Sequence, residues 1–132
     1  MTAELKQVLV VEDNRLLADV LRFNLVRADF AVTVANSIRE TVGHLERKPF
    51  DLVFTDFQLP DAEATVLFRH IRETMQLLDL PLIVCSAKGL ELNAEQLRAT
   101  WNVAKVIYKP FSVREVVVLA RRLCAAGAAA AT

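Results

Sequence analysis

The chain has 132 residues, 54% apolar and 24% charged, which suits one ordinary domain with a sizeable core and leaves little room for two. Its 16 basic and 16 acidic residues give a formal net charge of zero, which disfavours a polyanion binder with a basic face. No apolar run reaches the length of a membrane span, and Met1 to Gln7 carries Glu4 and Lys6 in place of an apolar leader, so a cytoplasmic protein without membrane insertion is expected.

Val8-Leu9-Val10-Val11 is too uniformly apolar to alternate, as in a strand buried on both faces, and it stops at Glu12-Asp13-Asn14. Asn14 can cap a helix from Arg15, along which Leu16, Leu17, Val20, Leu21, Leu25 and Val26 recur at helical spacing. Residues 30–35 form a second strand. Ser37, with Glu40 three residues later, opens a helix that carries Ile38, Val42 and Leu45 on one face. Residues 51–55 are the third strand, closing on Asp56, and Gln58-Leu59-Pro60-Asp61 reads as a loop. A helix is predicted over 64–73 with Val66, Leu67 and Ile71 as its apolar positions. Residues 80–85 form a fourth strand ending at Ser86; its Cys85 reads as a small buried hydrophobe, and the distant Cys124 makes no framework or metal-like spacing with it. A helix over 92–101 is followed by Asn102, a residue suited to a left-handed cap. Lys105 to Tyr108 is a short fifth strand before Lys109-Pro110, and Ser112 caps a last helix. The domain is placed at 1–125, with 126–132 an Ala-rich tail expected to fray or stay disordered. Strands alternating with helices predict an α/β fold: a parallel sheet covered on both faces, in three layers.

Asp13, Asp56, Ser86 and Lys109 each stand directly after the predicted end of the first, third, fourth or fifth strand. In a parallel sheet those ends share one edge, where ligands of such folds sit. Glu12, Asp13 and Asp56 would crowd there. Two unit charges at 4 Å repel by roughly 4 kcal/mol at an effective dielectric of 20. A hard divalent cation removes that conflict, and Mg²⁺ prefers one or two carboxylates with waters and phosphate oxygens. Lys109 adds a point charge and Ser86 a hydroxyl donor, which together suit phosphoryl transfer to a carboxylate.

Val8 to Asn14, Asp56-Phe57-Gln58-Leu59-Pro60, Ser86-Ala87 and Tyr108-Lys109-Pro110-Phe111 resemble the receiver domain of two-component response regulators, over roughly residues 6–124. The resemblance implies a doubly wound, five-stranded sheet in order 2-1-3-4-5 with five helices. It implies Asp56 as phosphoacceptor, with Mg²⁺ held by Glu12, Asp13, Asp56 and the backbone carbonyl of Gln58. Ser86 would be the switch hydroxyl and Lys109 the contact to the phosphoryl group. A sensor histidine kinase or histidine phosphotransfer protein would be the donor. A downstream protein target or a homodimer would form through the face of the fourth helix, fifth strand and fifth helix, without direct nucleic-acid contact. Gln58 and Lys88 occupy positions that tune phosphoryl lifetime in the family, and Lys88 is expected to slow hydrolysis.

Two positions depart from the family pattern. Ala64 stands near the place where receivers usually carry glycine, and Val106 holds the place of the switch aromatic while Tyr108 directly precedes Lys109. These departures keep an alternative open, a receiver-like interaction module acting without phosphorylation. An aspartyl-phosphate phosphatase of the haloacid dehalogenase type is disfavoured, since it would want an aspartate where Gln58 stands. The protein is expected to catalyse at most its own phosphorylation and dephosphorylation, as a single-domain regulator or the receiver of a longer chain. His44 and His70 read as exposed helix residues and Trp101 as core or partial surface; Tyr108, which shares a strand face with Val106, reads either as packing or as a stand-in for the switch aromatic.

Overall fold

The computed structural model describes residues 4–87 and 92–131, with side chains as far as residue 125. Five strands form one parallel sheet: β1 (Gln7–Val11), β2 (Ala31–Ala35), β3 (Leu52–Asp56), β4 (Leu82–Ser86) and β5 (Lys105–Tyr108), in the order β2-β1-β3-β4-β5. The helices are α1 (Arg15–Arg27), α2 (Ile38–Arg47), α3 (Ala64–Arg69), α4 (Ala94–Trp101) and α5 (Val113–Ala131). This is the three-layer arrangement expected from the alternating elements, in the flavodoxin-like strand order that the receiver resemblance implies. Among the described residues no helix is long and apolar enough to cross a membrane.

Alternation along each strand sorts the core into two halves. Leu9, Val11, Val53 and Val84 pack with Ile38 and Leu45 of α2, Leu67 and Phe68 of α3, and Leu97 of α4. Val8, Val10, Phe54, Ile83 and Ile107 pack with Leu21 and Leu25 of α1 and Val116 and Leu119 of α5. Both Cys85 and Cys124 are free and buried, and burial pushes their thiols up to about 12 and about 11.

Local chemistry sets the helix ends. Asn14 Oδ1 accepts from Leu17 N–H at 3.1 Å, and Ser37 Oγ from Glu40 N–H at 3.1 Å. The helix predicted from Leu92 begins at Ala94 instead, because Asn93 holds extended backbone and its side chain caps Gln96 N–H at 3.0 Å. Asn102 ends α4 in the left-handed region, at φ 55°. The helix predicted over 64–73 is α-helical only to Arg69 and then widens into a single π turn, His70–Thr74. Leu16, Val20 and Val26 of the α1 repeat, and Val66 of α3, face solvent, because those helices meet the sheet along one side only.

Candidate functional site

The carboxyl ends of β1, β3, β4 and β5 share one edge, as the parallel ladder requires. Strand alternation aims the residues there. Val10, Phe54 and Ile107 face α1 and α5; two residues on, Glu12, Asp56 and Lys109 converge on that side. Asp56 and Ser86 are the last residues of their strands rather than the first beyond them, which leaves them buried and paired within the sheet.

Lys109 Nζ donates to Asp56 Oδ2 at 3.1 Å and lies 3.2 Å from Glu12 Oε1. The second approach is an ion pair outside hydrogen-bond geometry, so Glu12 Oε1 is buried without a hydrogen bond. Glu12 is fully buried, and its Oε2 accepts from Asn14 N–H at 3.0 Å. Asp13 is exposed, yet one carboxylate oxygen from each of Glu12, Asp13 and Asp56 lies within 4.8 Å of the others. Among the described residues, Lys109 thus meets two carboxylates of a cluster of three. Burial, with the charge of Asp56 adding to it, raises the Glu12 pKa despite the Asn14 amide and Lys109. Burial alone would lower Lys109, but the hydrogen bond and charge of Asp56, followed by Glu12, outweigh it and raise its pKa.

The residues fit a hard divalent cation. Octahedral Mg²⁺ holds oxygens about 2.0–2.1 Å from itself, which draws ligand atoms to roughly 3–4 Å of one another. Only a small closure of this cluster is needed, and the buried, unbonded Oε1 of Glu12 is an atom that a cation would satisfy.

Gln58 is exposed in the loop after β3, where it bridges Glu63, and Leu59 N–H donates to Ala62 O at 3.1 Å. No residue of 58–63 has positive φ, and Ala64 enters α3 with its N–H on Phe57 O at 2.8 Å. The loop therefore closes without the glycine that Ala64 replaces. Ser86 is fully buried, and its carbonyl accepts Lys109 N–H at 2.8 Å. The Lys109–Pro110 peptide is cis. Val106 packs, half-buried, against the α2–α3–α4 half of the core. Tyr108 shares that side but is 39% exposed, so it is not simple core packing. His44 and His70 are half-buried rather than exposed. Lys88 lies outside the described residues.

Two residues without a signal in the sequence tie elements together, Asp61 at this edge and Arg72 at the opposite edge of the sheet. Asp61 accepts from the N–H groups of Ile38 and Arg39, each at 3.0 Å, and so caps α2 from another loop. Those bonds pull its carboxyl below the usual aspartate range. Arg72 is buried within the π turn and donates to Trp101 O, Leu77 O and Asn102 O. Asp61 had no local signal, since its partners lie more than 20 positions earlier; Arg72 resembled any helix-surface arginine.

A doubly wound sheet in this order, with an acidic cluster and a lysine at its carboxyl edge, defines a receiver-type signalling module. Residues 8–121 match the response regulator receiver domain family, and the chain belongs to that family, whose members serve two-component systems. Solved structures agree. The non-phosphorylated HemR receiver domain of Leptospira biflexa is 29% identical, with a TM-score of 0.78 over 90% of this chain and 94% of that one. A CheY-like response regulator receiver domain protein of Methanospirillum hungatei is 22% identical (TM-score 0.80; 91% and 94% covered), and the chemotaxis response regulator CheY4 of Vibrio cholerae 18% (TM-score 0.80; 90% and 98% covered). The last two likenesses speak for the fold alone.

Proposed function

We propose that the domain accepts a phosphoryl group on Asp56 from a histidine-phosphorylated donor and signals through an altered surface. In the transfer an Asp56 carboxylate oxygen forms a bond to phosphorus as the donor's N–P bond breaks. The bonding pair stays on the imidazole nitrogen, which takes up a proton. Lys109 holds and orients the acceptor carboxylate and offers its charge to the incoming group. Ser86 offers a hydroxyl to a phosphoryl oxygen. Glu12, Asp13, Asp56 and the Gln58 carbonyl would hold Mg²⁺, which when bound neutralises the crowded carboxylates and the phosphoryl oxygens. The observation that carries this reading is the Lys109 ammonium 3.1 Å from Asp56 within the acidic cluster.

The donor is a sensor histidine kinase or a phosphotransfer protein, and the setting is cytoplasmic. Exposed Leu16, Val20 and Phe23 run along α1 from a point three residues after Asp13, an apolar strip beside the acceptor edge for that donor to cover. Output runs through the α4–β5–α5 face to a protein target or a second copy. That face holds a groove of about 350 Å³ between α4 and β5, lined in part by Glu95, Arg98, Lys105 and Val106. Lys88, two residues past Ser86, slows loss of the phosphoryl group; an unchanged dephosphorylation rate in Lys88→Ala would remove it from this role.

Incubation with acetyl phosphate, read by intact mass, tests the proposal. Wild type should gain one phosphoryl group only when Mg²⁺ is present, and Asp56→Asn should gain none. A wild-type chain that stays unmodified would favour the interaction module that works without phosphorylation.

A further inference from the structure

Gln58 and Glu63 face each other across an antiparallel bridge in the loop after β3. The bonds that close the loop come from their neighbours: Leu59 N–H donates to Ala62 O at 3.1 Å, and Ala64 N–H to Phe57 O at 2.8 Å. In such a pair the two facing residues keep their own N–H and C=O groups out of the ladder. The loop thus leaves the Gln58 carbonyl to other partners, and among the described residues no hydrogen bond ends on it.

The tip of the loop is held by a side chain. The two carboxylate oxygens of Asp61 accept from Ile38 N–H and Arg39 N–H, each at 3.0 Å. These amides open α2, and the helix has no carbonyl of its own to give them. A carboxylate suits them by charge as well as by shape, because the amino end of a helix is partly positive. The next amide, of Glu40, is already served by Ser37 Oγ. The same stretch of chain receives the acidic corner of the site. Glu12 N–H donates to Ala35 O at 3.0 Å, just ahead of the start of α2. The turn between β2 and α2 therefore supports Glu12 and Asp13 on one side and the Gln58 loop on the other. Among the described residues, Asp61 makes the only side-chain hydrogen bonds from that loop to another element.

We propose that Asp61 is a positioning residue for the metal: it pins the loop to the start of α2 and so sets the place of the Gln58 carbonyl relative to Glu12, Asp13 and Asp56, a role that rests on that carbonyl being a Mg²⁺ ligand. Without the pin the backbone bonds still close the loop, but the carbonyl is no longer placed before the cation arrives, and affinity falls. Coupling of this kind is reciprocal, so Mg²⁺ at the sheet edge also tightens the first turn of α2.

A Mg²⁺ titration of the full chain at neutral pH, followed by NMR, tests the pin. The Kd is read from the amide shifts of Asp13, Asn14 and Phe57. Asp61→Ala should raise it about tenfold, the lower end of the range for groups that orient a metal's ligands. Asp61→Asn keeps one acceptor and should fall between that variant and wild type. Ser37→Ala removes a cap from the same helix, and Glu63→Gln removes a charge from the same loop. Neither touches the pin, so both should bind Mg²⁺ within about twofold of wild type. Saturating Mg²⁺ should slow exchange of the Ile38 and Arg39 amides with water, by up to about tenfold in wild type and not at all in Asp61→Ala. An unchanged Kd in Asp61→Ala, or an equal rise in either control, would overturn the proposal. The two readings part in the wild-type titration: no saturable shift overturns the metal site itself, whereas saturable binding that Asp61→Ala leaves intact overturns the pin alone.

Discussion

At the scale of single residues, Lys109 balances a site that is otherwise self-repelling. Its ammonium serves both Asp56 and Glu12, so Lys109→Met should slow phosphorylation by acetyl phosphate about a hundredfold, the usual loss for one preorganised electrostatic group. A rate within a factor of two of wild type would deny it that role. Asp56→Asn removes one of the crowded charges, and in Mg²⁺-free buffer it should stabilise the fold by about 1 kcal/mol, seen as a melting temperature higher by roughly 3–5 °C. Glu12 sets the pH dependence of the same site. Its pKa is raised on folding, so the folded state binds the proton more tightly. The cost of ionising it is absent below its ordinary value of 4.5 and grows as pH rises through the folded value. Urea titrations in Mg²⁺-free buffer should show that loss in wild type and not in Glu12→Gln. Glu12, Asp13, Asp56 and Lys109 were legible in the sequence because each follows an unmistakable apolar run. The ion pair of Lys109 with Glu12 was not, since spacing gives an edge but not which side chains meet on it.

At the scale of elements, the loop after β3 is tied to α2 rather than merely closed on itself. Asp61 supplies the two amide bonds at the start of α2 that a local residue would otherwise leave to water. Its pKa is lowered on folding, so its contribution is present above the ordinary aspartate value of 3.8 and is lost as pH falls through the folded value. Asp61→Asn should therefore melt below wild type at neutral pH, with the gap closing in acid beneath pH 3.8. A gap that is the same at both pH values would mean the carboxylate charge is irrelevant to the cap. The five strands and five helices were readable because apolar runs alternate with capped amphipathic segments. The errors fall where a tertiary contact overrides local preference. The π turn after Arg69 places Arg72 under the end of α4, and no periodicity in residues 64–73 announces that. The late start of α4 follows from Asn93, whose capping competes with helix at Leu92.

At the scale of the whole molecule, one parallel sheet brings Glu12, Asp56, Ser86 and Lys109 from four strand ends to one edge, while α1 and α4 lie on opposite faces. In the proposed function that geometry would separate receipt of the signal from its output. A Phe23→Glu change on the exposed strip of α1 should slow transfer from a phosphorylated donor protein by tenfold or more, since interface anchors commonly carry over 1 kcal/mol. It should leave the rate with acetyl phosphate alone, and equal slowing with both donors would argue for damage to the site instead. The overall architecture was the most legible part of the sequence, because alternating strands and helices imply a covered parallel sheet and the receiver resemblance supplies its strand order. The surface was the least legible, since exposure of Leu16 or Tyr108 depends on neighbours that only the folded chain supplies. Reduction of the phosphorylated chain with borohydride, which traps an acyl phosphate of aspartate as homoserine, tests the central claim most directly. Peptide mapping should find homoserine at position 56 and at no other aspartate. Homoserine elsewhere, or none in a chain that has gained a phosphoryl group, would contradict the account.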